Sequence, residues 1–556
     1  MVNVSKMESL SASPVSDFYR GRSVLITGAT GFMGKVLVEK LLRSCPEVST
    51  LYLLMRPRRG VDARHRLDDL LNTTIFDELR RSRPDALRKV VAIPGDMTMV
   101  DLGISTTDRE LLVEEVSVVF HSAATVKFDE AIKLSIEMNM LGTKRMLKLA
   151  RQMKKLEAFV HVSTAYCNCD RSEVEEKVYP APTDPEKLAQ CVDWMDAEMA
   201  DHMTPKILGN RPNTYTFTKA LAETLVMNEA GKLPLAIVRP SIVTAARREP
   251  IPGWVDNMNG PTGLLVGAGK GVLRTLYCHR DMVADLIPVD VCINLLVAVA
   301  WKTATVRSRA LSAAAREPDG DANKCANEVV VYNCVSGAQN PIKWSVLENV
   351  GRTHLRRNPY NNVLWYPGGS FKSSSMYNEV CAFALHVVPS YIMDGVARAS
   401  GKKPQMVRIQ QRLTKAVKCL QFFTTSEWRF ADGNVQHLLA ELTPVDRKVF
   451  DFGIADLDWD AYLNTYVLGT RKFILKEDPS TFPEARAHLR KMFFVHRLSQ
   501  FVTVTLMWRL VLSRSQIARR VWSLLLGILA RAVSLVSGVT RAALPSLGPI
   551  AAPVVG

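Results

Sequence analysis

Apolar runs and amphipathic stretches alternate through the first 300 positions. Ser23–Thr27 (SVLIT) is β-branched and apolar, and it leads directly into Gly28-Ala-Thr-Gly31-Phe-Met-Gly34. Lys35–Arg43 (KVLVEKLLR) then places Val36, Leu37, Leu41 and Leu42 on one helical stripe, and Thr50–Met55 (TLYLLM) is a second apolar run. The order strand, glycine turn, helix, strand predicts two parallel strands in one sheet. Val90–Ile93, Val118–His121, Ala158–Ser163 and Leu235–Arg239 read as further buried strands. Helices are expected over Ala131–Met153 and from Tyr215 to about Ala230. Asp17 to about Trp301 therefore reads as a doubly wound α/β domain with a parallel sheet.

Beyond Trp301 the texture changes. Lys302–Asn327 is polar and rich in Ala and Arg, as a surface loop with a ragged helix end would be, and Glu328–Val335 (EVVVYNCV) regains strand character. Tyr377–Lys476 is mostly helical and reads as a second, smaller domain, with Glu477–Pro483 (EDPSTFP) as a linker. The expected organisation is a cofactor-binding domain with its substrate-binding portion over 17–370, a helical domain over 377–476, and a tail over 485–556.

Composition changes the picture mainly in that tail. The 556 residues carry a net charge of +16, with 47% hydrophobic and 23% charged residues. Such a charge suggests nucleic-acid binding until its distribution is read. No Asp or Glu follows Glu484, while ten Arg or Lys do: Arg486, Arg490, Lys491, Arg497, Arg509, Arg514, Arg519, Arg520, Arg531 and Arg541. The tail's uncharged stretches, Leu498–Trp508, Val521–Ala530 and Ala532–Thr540, each fall short of the roughly 20 apolar residues of a spanning helix. Trp508 and Trp522 beside arginines suit a headgroup boundary. The tail thus reads as one or two amphipathic segments on an anionic bilayer, with a short spanning or re-entrant helix, or a basic helix folded onto the protein, as competitors. No nucleic-acid partner is expected. The ten cysteines form no C-x-x-C pair, which argues against zinc or a disulfide framework and for a reducing compartment. Met1–Arg20 has no secretory signal pattern, and Pro553–Gly556 is not a peroxisomal address. The endoplasmic reticulum, with the catalytic part on the cytosolic side, is the default membrane.

The glycine pattern carries the first chemistry. Gly28, Thr30, Gly31, Phe32, Met33 and Gly34 lie between a strand and a helix, where missing Cβ atoms let the backbone approach a pyrophosphate at a helix N-terminus. An NAD site places a carboxylate at the end of the second strand; this chain has Arg56-Pro57-Arg58-Arg59 there. A guanidinium grips a 2′-phosphate that a carboxylate would repel, so NADPH is the expected cofactor, with Arg56 as its first contact. Asp96, after the third strand, is placed to reach the adenine amino group.

Tyr215 and Lys219 are four residues apart on one helix face. A neighbouring ammonium is expected to lower the phenol's pKa, letting it protonate a developing alkoxide. Ser163 and Thr164 end an intervening strand, where a hydroxyl can bond the substrate carbonyl; adjacent residues point oppositely, and Ser163 is narrowly favoured. Cys167 and Cys169 raise the competing idea of an acyl-enzyme thioester.

Gly28–Gly34, Ser163–Tyr166 and Tyr215–Lys219 together resemble the extended short-chain dehydrogenase/reductase superfamily, a Rossmann fold. ITGATGFMGKVLVEKLLRSCPEV, VFHSAATVKFDEAI, FVHVSTAYCN, IVRPSIV, GWVDNMNGPTGLLVGAGKGVLR and LDWDAYLNTYVLGTRKFILKE resemble the alcohol-forming fatty acyl-CoA reductases of animals, especially insects. The resemblance implies NADPH-dependent reduction of long-chain acyl-CoA to the primary alcohol, on a membrane, and the chemistry would run through an aldehyde; no metal is expected. It also implies that Lys219 contacts the nicotinamide ribose and that Asn139 helps order the site. Ser122, Ala123 and Ala124 end the fourth strand, where small residues let the cofactor lie close. The inserted stretch Asp170–Asn213 is either a lid over the acyl chain or a surface excursion. A steroid or other short-chain dehydrogenase, and a catalytically silent acyl-CoA-binding scaffold, remain as alternatives.

Overall fold

Seven apolar runs form one sheet in which every pairing is parallel. A computed structural model describes residues 13–57, 60–314 and 328–542. Arg58, Arg59, residues 315–327 of the polar stretch after Trp301, residues 1–12, and residues 543–556 of the tail lie outside the described residues. The strands are β1 (Ser23–Thr27), β2 (Leu51–Met55), β3 (Val90–Pro94), β4 (Val116–His121), β5 (Ala158–Val162), β6 (Leu235–Pro240) and β7 (Val330–Cys334), in the order β7-β6-β5-β4-β1-β2-β3. Chain order reverses on either side of β1, the place where doubly wound sheets bind ligands at their carboxyl ends. One expectation is corrected here. The strand read beyond Trp301 is β7 and belongs to this sheet, with Tyr332 beside Val238.

Both faces are buried, which is why the strands read as unbroken apolar runs. Alternate residues face opposite sides. Val24, Ile26, Val118, Phe120, Val160 and Val238 join a core with helix α1 (Phe32–Ser44) and the long helix Val289–Ala314. Leu25, Val119, Phe159 and Ile237 join a second core with α2 (Thr214–Met227) and the helical rod of Ile132–Ser135, Ile136–Leu141 and Gly142–Ala150, whose middle segment is a π-turn. Val289–Ala313 of the long helix is long and apolar enough to cross a membrane, but it is mostly buried inside the protein. Its extension to Ala314 replaces the loop expected from Lys302, up to the last described residue there.

The C-terminal helices complete the first core. Phe450, Phe452, Ile454, Leu457, Tyr462 and Tyr466 pack into it. The Tyr462 hydroxyl donates to the Ala245 carbonyl at 2.7 Å. A Cβ on Gly469 would lie 1.8 Å from the Gly253 oxygen, so helix Trp459–Gly469 seats directly on the chain after β6. The segment read as a linker is also anchored. Glu477 accepts from Lys270 Nζ at 2.8 Å and from the Asn361 amide at 2.9 Å. The chain divides into two compact units between Arg486 and Ala487. The second holds helix Phe482–Arg514 from Ala487 onward and helix Gln516–Ala542, with exposed Phe501, Leu506, Leu524 and Leu529.

The insertion Asp170–Asn213 packs on the sheet's flank through Leu188, Val192, Met195 and Ala200. Glu173–Val174 pairs with Arg429–Phe430. The insertion also helps bury an ion pair. Arg239 Nε and Nη2 donate to Glu223 at 2.8 and 2.7 Å, and the same guanidinium donates to the carbonyls of Glu175 and Lys177. Arg239 and Glu223 are 0% and 1% exposed. Removing one member strands the other charge, at a cost of about 3–5 kcal/mol. Arg239→Met is therefore expected to lower the unfolding free energy by about that amount in chemical denaturation, and adding Glu223→Leu should recover most of the loss.

Candidate active site

The loop after β1 is shaped by what it touches. Gly28 has φ +76°, and a Cβ there would lie 2.8–2.9 Å from Ser122 and Ala123, at the end of β4. A Cβ on Gly34 would lie 2.3 Å from the Gly28 oxygen, so α1 starts pressed against the loop. Gly31 caps α1 with no side-chain bond, and the first turn holds no acid. Free N–H groups and the positive helix end thus offer an anion cradle. Thr30 is half-buried beside this cradle. Phe32 and Met33 begin α1 but turn their side chains into the core, with Phe32 stacked on Trp254 at 5.5 Å. Ser122 Oγ donates to the Thr27 carbonyl at 2.8 Å and the Ala123 amide to Thr27 Oγ1 at 3.2 Å, holding the small Ser122–Ala124 segment against β1.

At the end of β2, Arg56 is half-exposed and lies 4.0 Å from the Asp96 carboxylate. Asp96 also accepts from the Thr98 amide and hydroxyl at 3.0 and 2.9 Å. A second guanidinium, not singled out in the sequence, stands beside them. Arg66, on helix Ala63–Leu71, donates to Thr30 Oγ1 at 3.4 Å and to the Arg56 carbonyl. Only the fold brings residues 30, 56 and 66 together. The loop, the uncapped helix start and the two guanidiniums fit a phosphate-bearing dinucleotide.

At the carboxyl ends of β5 and β6, the site resolves the choice between adjacent hydroxyls geometrically. Thr164 lines a cavity with Tyr215, whereas Ser163 lines neither cavity described below. Ser163 Oγ is sealed in toward the Cys167 sulfur, without a bond of hydrogen-bonding geometry among the described residues. Thr164 Oγ1 is held only loosely, accepting from the Tyr166 amide at 3.3 Å and donating to the Pro240 carbonyl at 3.4 Å. The preference for Ser163 as the residue facing the site is thus reversed by the turn at Thr164, which caps the helical turn Ala165–Asn168.

The expected phenol–ammonium relation also differs. Burial raises the Tyr215 phenol above its ordinary value, and hydrogen bonding with Thr164 opposes the rise. Lys219 is 2% exposed and donates to the Val162 carbonyl at 2.7 Å, its only hydrogen-bond partner among the described residues. Burial lowers its pKa to about 8, against the pull of Glu223 one turn further along α2. The ammonium is thus anchored to the strand end, and Tyr215 keeps its proton at neutral pH.

Asn139, in the π-turn, clamps these parts. It accepts from the Thr125 amide at 2.8 Å, and its amide nitrogen donates to the Thr125 carbonyl at 3.2 Å and to Thr218 Oγ1 at 3.0 Å. The loop after β4 is thereby tied to the helix bearing Tyr215. Burial holds His121 and His161, on neighbouring strands beside Lys219, far below the ordinary histidine range, so both are neutral. Burial pushes the Cys167 thiol up, with Glu223 adding to the rise, and raises Cys169 to about 11; neither offers a thiolate for an acyl-enzyme.

Two apolar cavities meet here. The first is lined by Tyr215, Thr164, Phe128, Tyr166, Ile242 and, from the C-terminal helices, Phe423. The Phe128 ring stacks on Tyr215 with centroids 6.1 Å apart. The second extends past Leu273, Leu355, Phe371 and Tyr466. Pro261, Leu264 and Trp344 wall both. The insertion Asp170–Asn213, expected as a lid or a surface excursion, contributes to neither. The arrangement joins a dinucleotide cradle, a protonated phenol with a hydroxyl beside it, and an apolar space running away from them. It can reduce the carbonyl of a long apolar substrate.

Comparison with known proteins agrees with this reading. Two family models described as "Male sterility protein" match residues 26–296, the NAD-binding part, and 385–477. "Fatty acyl-CoA reductase 1" of Xenopus laevis is 42% identical over 508 residues, covering 91% of this chain and 95% of its own. The human protein of the same name is 40% identical over the same coverage, and "Fatty acyl-CoA reductase 2" of Bos taurus is 39% identical over 92% of this chain and 96% of its own. Two solved reductase domains share the fold. One is the terminal R domain of the myxalamid pathway (19% identity, TM-score 0.51, 81% of this chain and 90% of that one). The other is the R domain of a nonribosomal peptide synthetase from Mycobacterium tuberculosis (16%, 0.52, 85% and 96%).

Proposed function

Because the chain belongs to the fatty acyl-CoA reductase family, we propose that it reduces a long-chain acyl-CoA to the primary alcohol with NADPH, releasing coenzyme A. The observation that carries this reading is the Tyr215–Thr164 pair at the end of an apolar cavity that shares three wall residues with a second one. An acyl chain lying along Leu264 and Trp344 would bring its carbonyl carbon to the phenol. Gly28, Gly31, Gly34 and the start of α1 would hold the pyrophosphate, and Arg56 with Arg66 the 2′-phosphate. NADPH, when bound, supplies hydride, and two equivalents take the thioester through the aldehyde to the alcohol.

The chain's own residues handle the oxygen and its proton. Thr164 and Tyr215 donate hydrogen bonds to the carbonyl oxygen and stabilise the charge that develops there. In the first reduction coenzyme A leaves as the carbonyl reforms. In the second, Tyr215 gives its proton to the alkoxide, a stronger base than phenolate even where burial has raised the phenol. The Lys219 ammonium, anchored on the Val162 carbonyl, would hold the nicotinamide ribose. The basic tail, with its exposed apolar residues, would attach the enzyme to a membrane where its substrates and products partition.

Purified full-length protein with NADPH and palmitoyl-CoA should yield hexadecanol, with two NADPH oxidised per alcohol, followed by mass spectrometry and absorbance. Aldehyde alone, or turnover of a sterol instead, would overturn the assignment. In that assay Thr164→Val should lower kcat by about 10²–10³, the effect of losing an oxyanion donor, while Ser163→Ala should stay within a few-fold.

The pH profile follows from Lys219. Its pKa is lowered to about 8, so the ammonium is present below that pH and is lost as pH rises through it. The rate should be flat from neutrality to about pH 8 and then fall about tenfold per unit. Glu223→Gln, which removes the charge supporting the ammonium, should move the break to lower pH. A break that stays in place would detach Lys219 from it.

Arg56→Ala and Arg66→Ala should each raise the KM for NADPH by about tenfold or more while changing that for NADH little. Equal effects on both cofactors would mean that the 2′-phosphate is read elsewhere.

A further inference from the structure

One helical stretch of the catalytic unit is turned inside out for water. Ser375–Ala382, the π-turn Phe383–Val387 and Val388–Ala399 run on as one 25-residue rod, apolar and long enough to cross a bilayer but packed lengthwise on the protein. The side it buries is polar: His386, Ser390 and Asp394 are 5–7% exposed. His386 accepts from the Arg274 amide at 2.8 Å, and Asp394 accepts from the amides of Gln405, Met406 and Val407, capping the next helix, Met406–Thr424. The side it presents outward is apolar: Val380, Phe383, Tyr391, Ile392 and Val396 are each 60–62% exposed. A helix in water does the opposite, and large apolar side chains exposed together along one helix mark a binding surface.

We propose that this face docks on an anionic lipid bilayer, lying in the headgroup region beside the acyl cavity and independently of the C-terminal tail. Charge selects the occupant. From Lys372 to Lys418 the stretch carries Lys372, Arg398, Lys402, Lys403, Arg408, Arg412, Lys415 and Lys418 against Glu379 and Asp394. The tail after Glu484 is wholly basic, and a second copy would present the same basic surroundings, so both are repelled where an anionic headgroup layer is attracted. The position gives the face a use, which rests on the reductase reading. The rod is fastened to the start of Thr275–Tyr277, the strand that pairs with Ser370–Lys372, through His386, which accepts from the amides of Arg274 and Thr275, and through Asn378, which accepts from Thr275 Oγ1 at 2.7 Å. Thr275, Ser370 and Phe371 line the outer apolar cavity. An acyl chain leaving the bilayer there would cross one strand pair to enter it.

The test uses the full chain bearing Tyr391→p-benzoylphenylalanine, an exposed aromatic-for-aromatic change, irradiated with vesicles of phosphatidylcholine and phosphatidylserine. Lipid adducts at position 391 should exceed those from the same probe at exposed Trp194 by about fivefold or more, and should fall several-fold on vesicles of phosphatidylcholine alone. Adducts no more abundant than at Trp194 would overturn the proposal, as would adducts to residues 487–542 or to a second copy of the chain. A probe at Ile392 repeats the measurement should the first variant misfold. The readout needs no turnover, so its failure leaves the reductase reading standing and failure of the alcohol assay leaves this one standing.

Discussion

A positive charge kept inside the protein is the constraint on which the site depends. Lys219 is almost completely buried at the end of β5, and burial pulls its pKa down to about 8. Glu223 opposes that from one turn along the same helix, and Glu223 is itself tolerable in the interior only because Arg239 holds it with two hydrogen bonds. Arg239 is satisfied in turn by the carbonyls of Glu175 and Lys177. The chain of compensation runs from the insertion through β6 to α2 and ends at the Val162 carbonyl. The insertion, read from the sequence as either a lid or a surface excursion, is therefore a structural support beneath Lys219 and Tyr215.

The other half of the site is a matter of shape. The sheet and its helices supply Tyr215, Thr164 and the glycine loop, but the apolar space next to them exists only because the C-terminal helices close over it. Phe423 and Thr424 wall the cavity at Tyr215, and Leu463 and Tyr466 wall its outer extension. Gly253 and Gly469 permit this closure by letting two backbones meet where a side chain would clash. A helical region that looked separable in the chain is thus part of the wall of the cavity at Tyr215.

The same region carries the rod Ser375–Ala399. Its polar side chains are used inward, as hydrogen-bond acceptors that fasten it to the protein, which leaves its apolar side chains facing out. Lipid, rather than water, is the solvent that suits such a face. A second membrane contact next to the acyl cavity would spare a long chain from crossing open water.

The sequence alone determined the architecture and most of the candidate site residues, because those depend on short-range signals. Unbroken apolar runs are what a doubly covered strand must have, the glycines of the first turn answer to local crowding and φ, and four-residue spacing puts Tyr215 and Lys219 on one side of a helix. The tertiary structure decided everything that hangs on which surfaces meet. It turned Thr164 rather than Ser163 toward Tyr215, brought Arg66 beside Arg56 and Thr30, anchored Lys219 to a strand end instead of to the phenol, moved β7 into the sheet, and set the polar side of an apolar helix inward. Linear spacing carries no record of these contacts, since each joins segments whose separation along the chain says nothing of their distance in space.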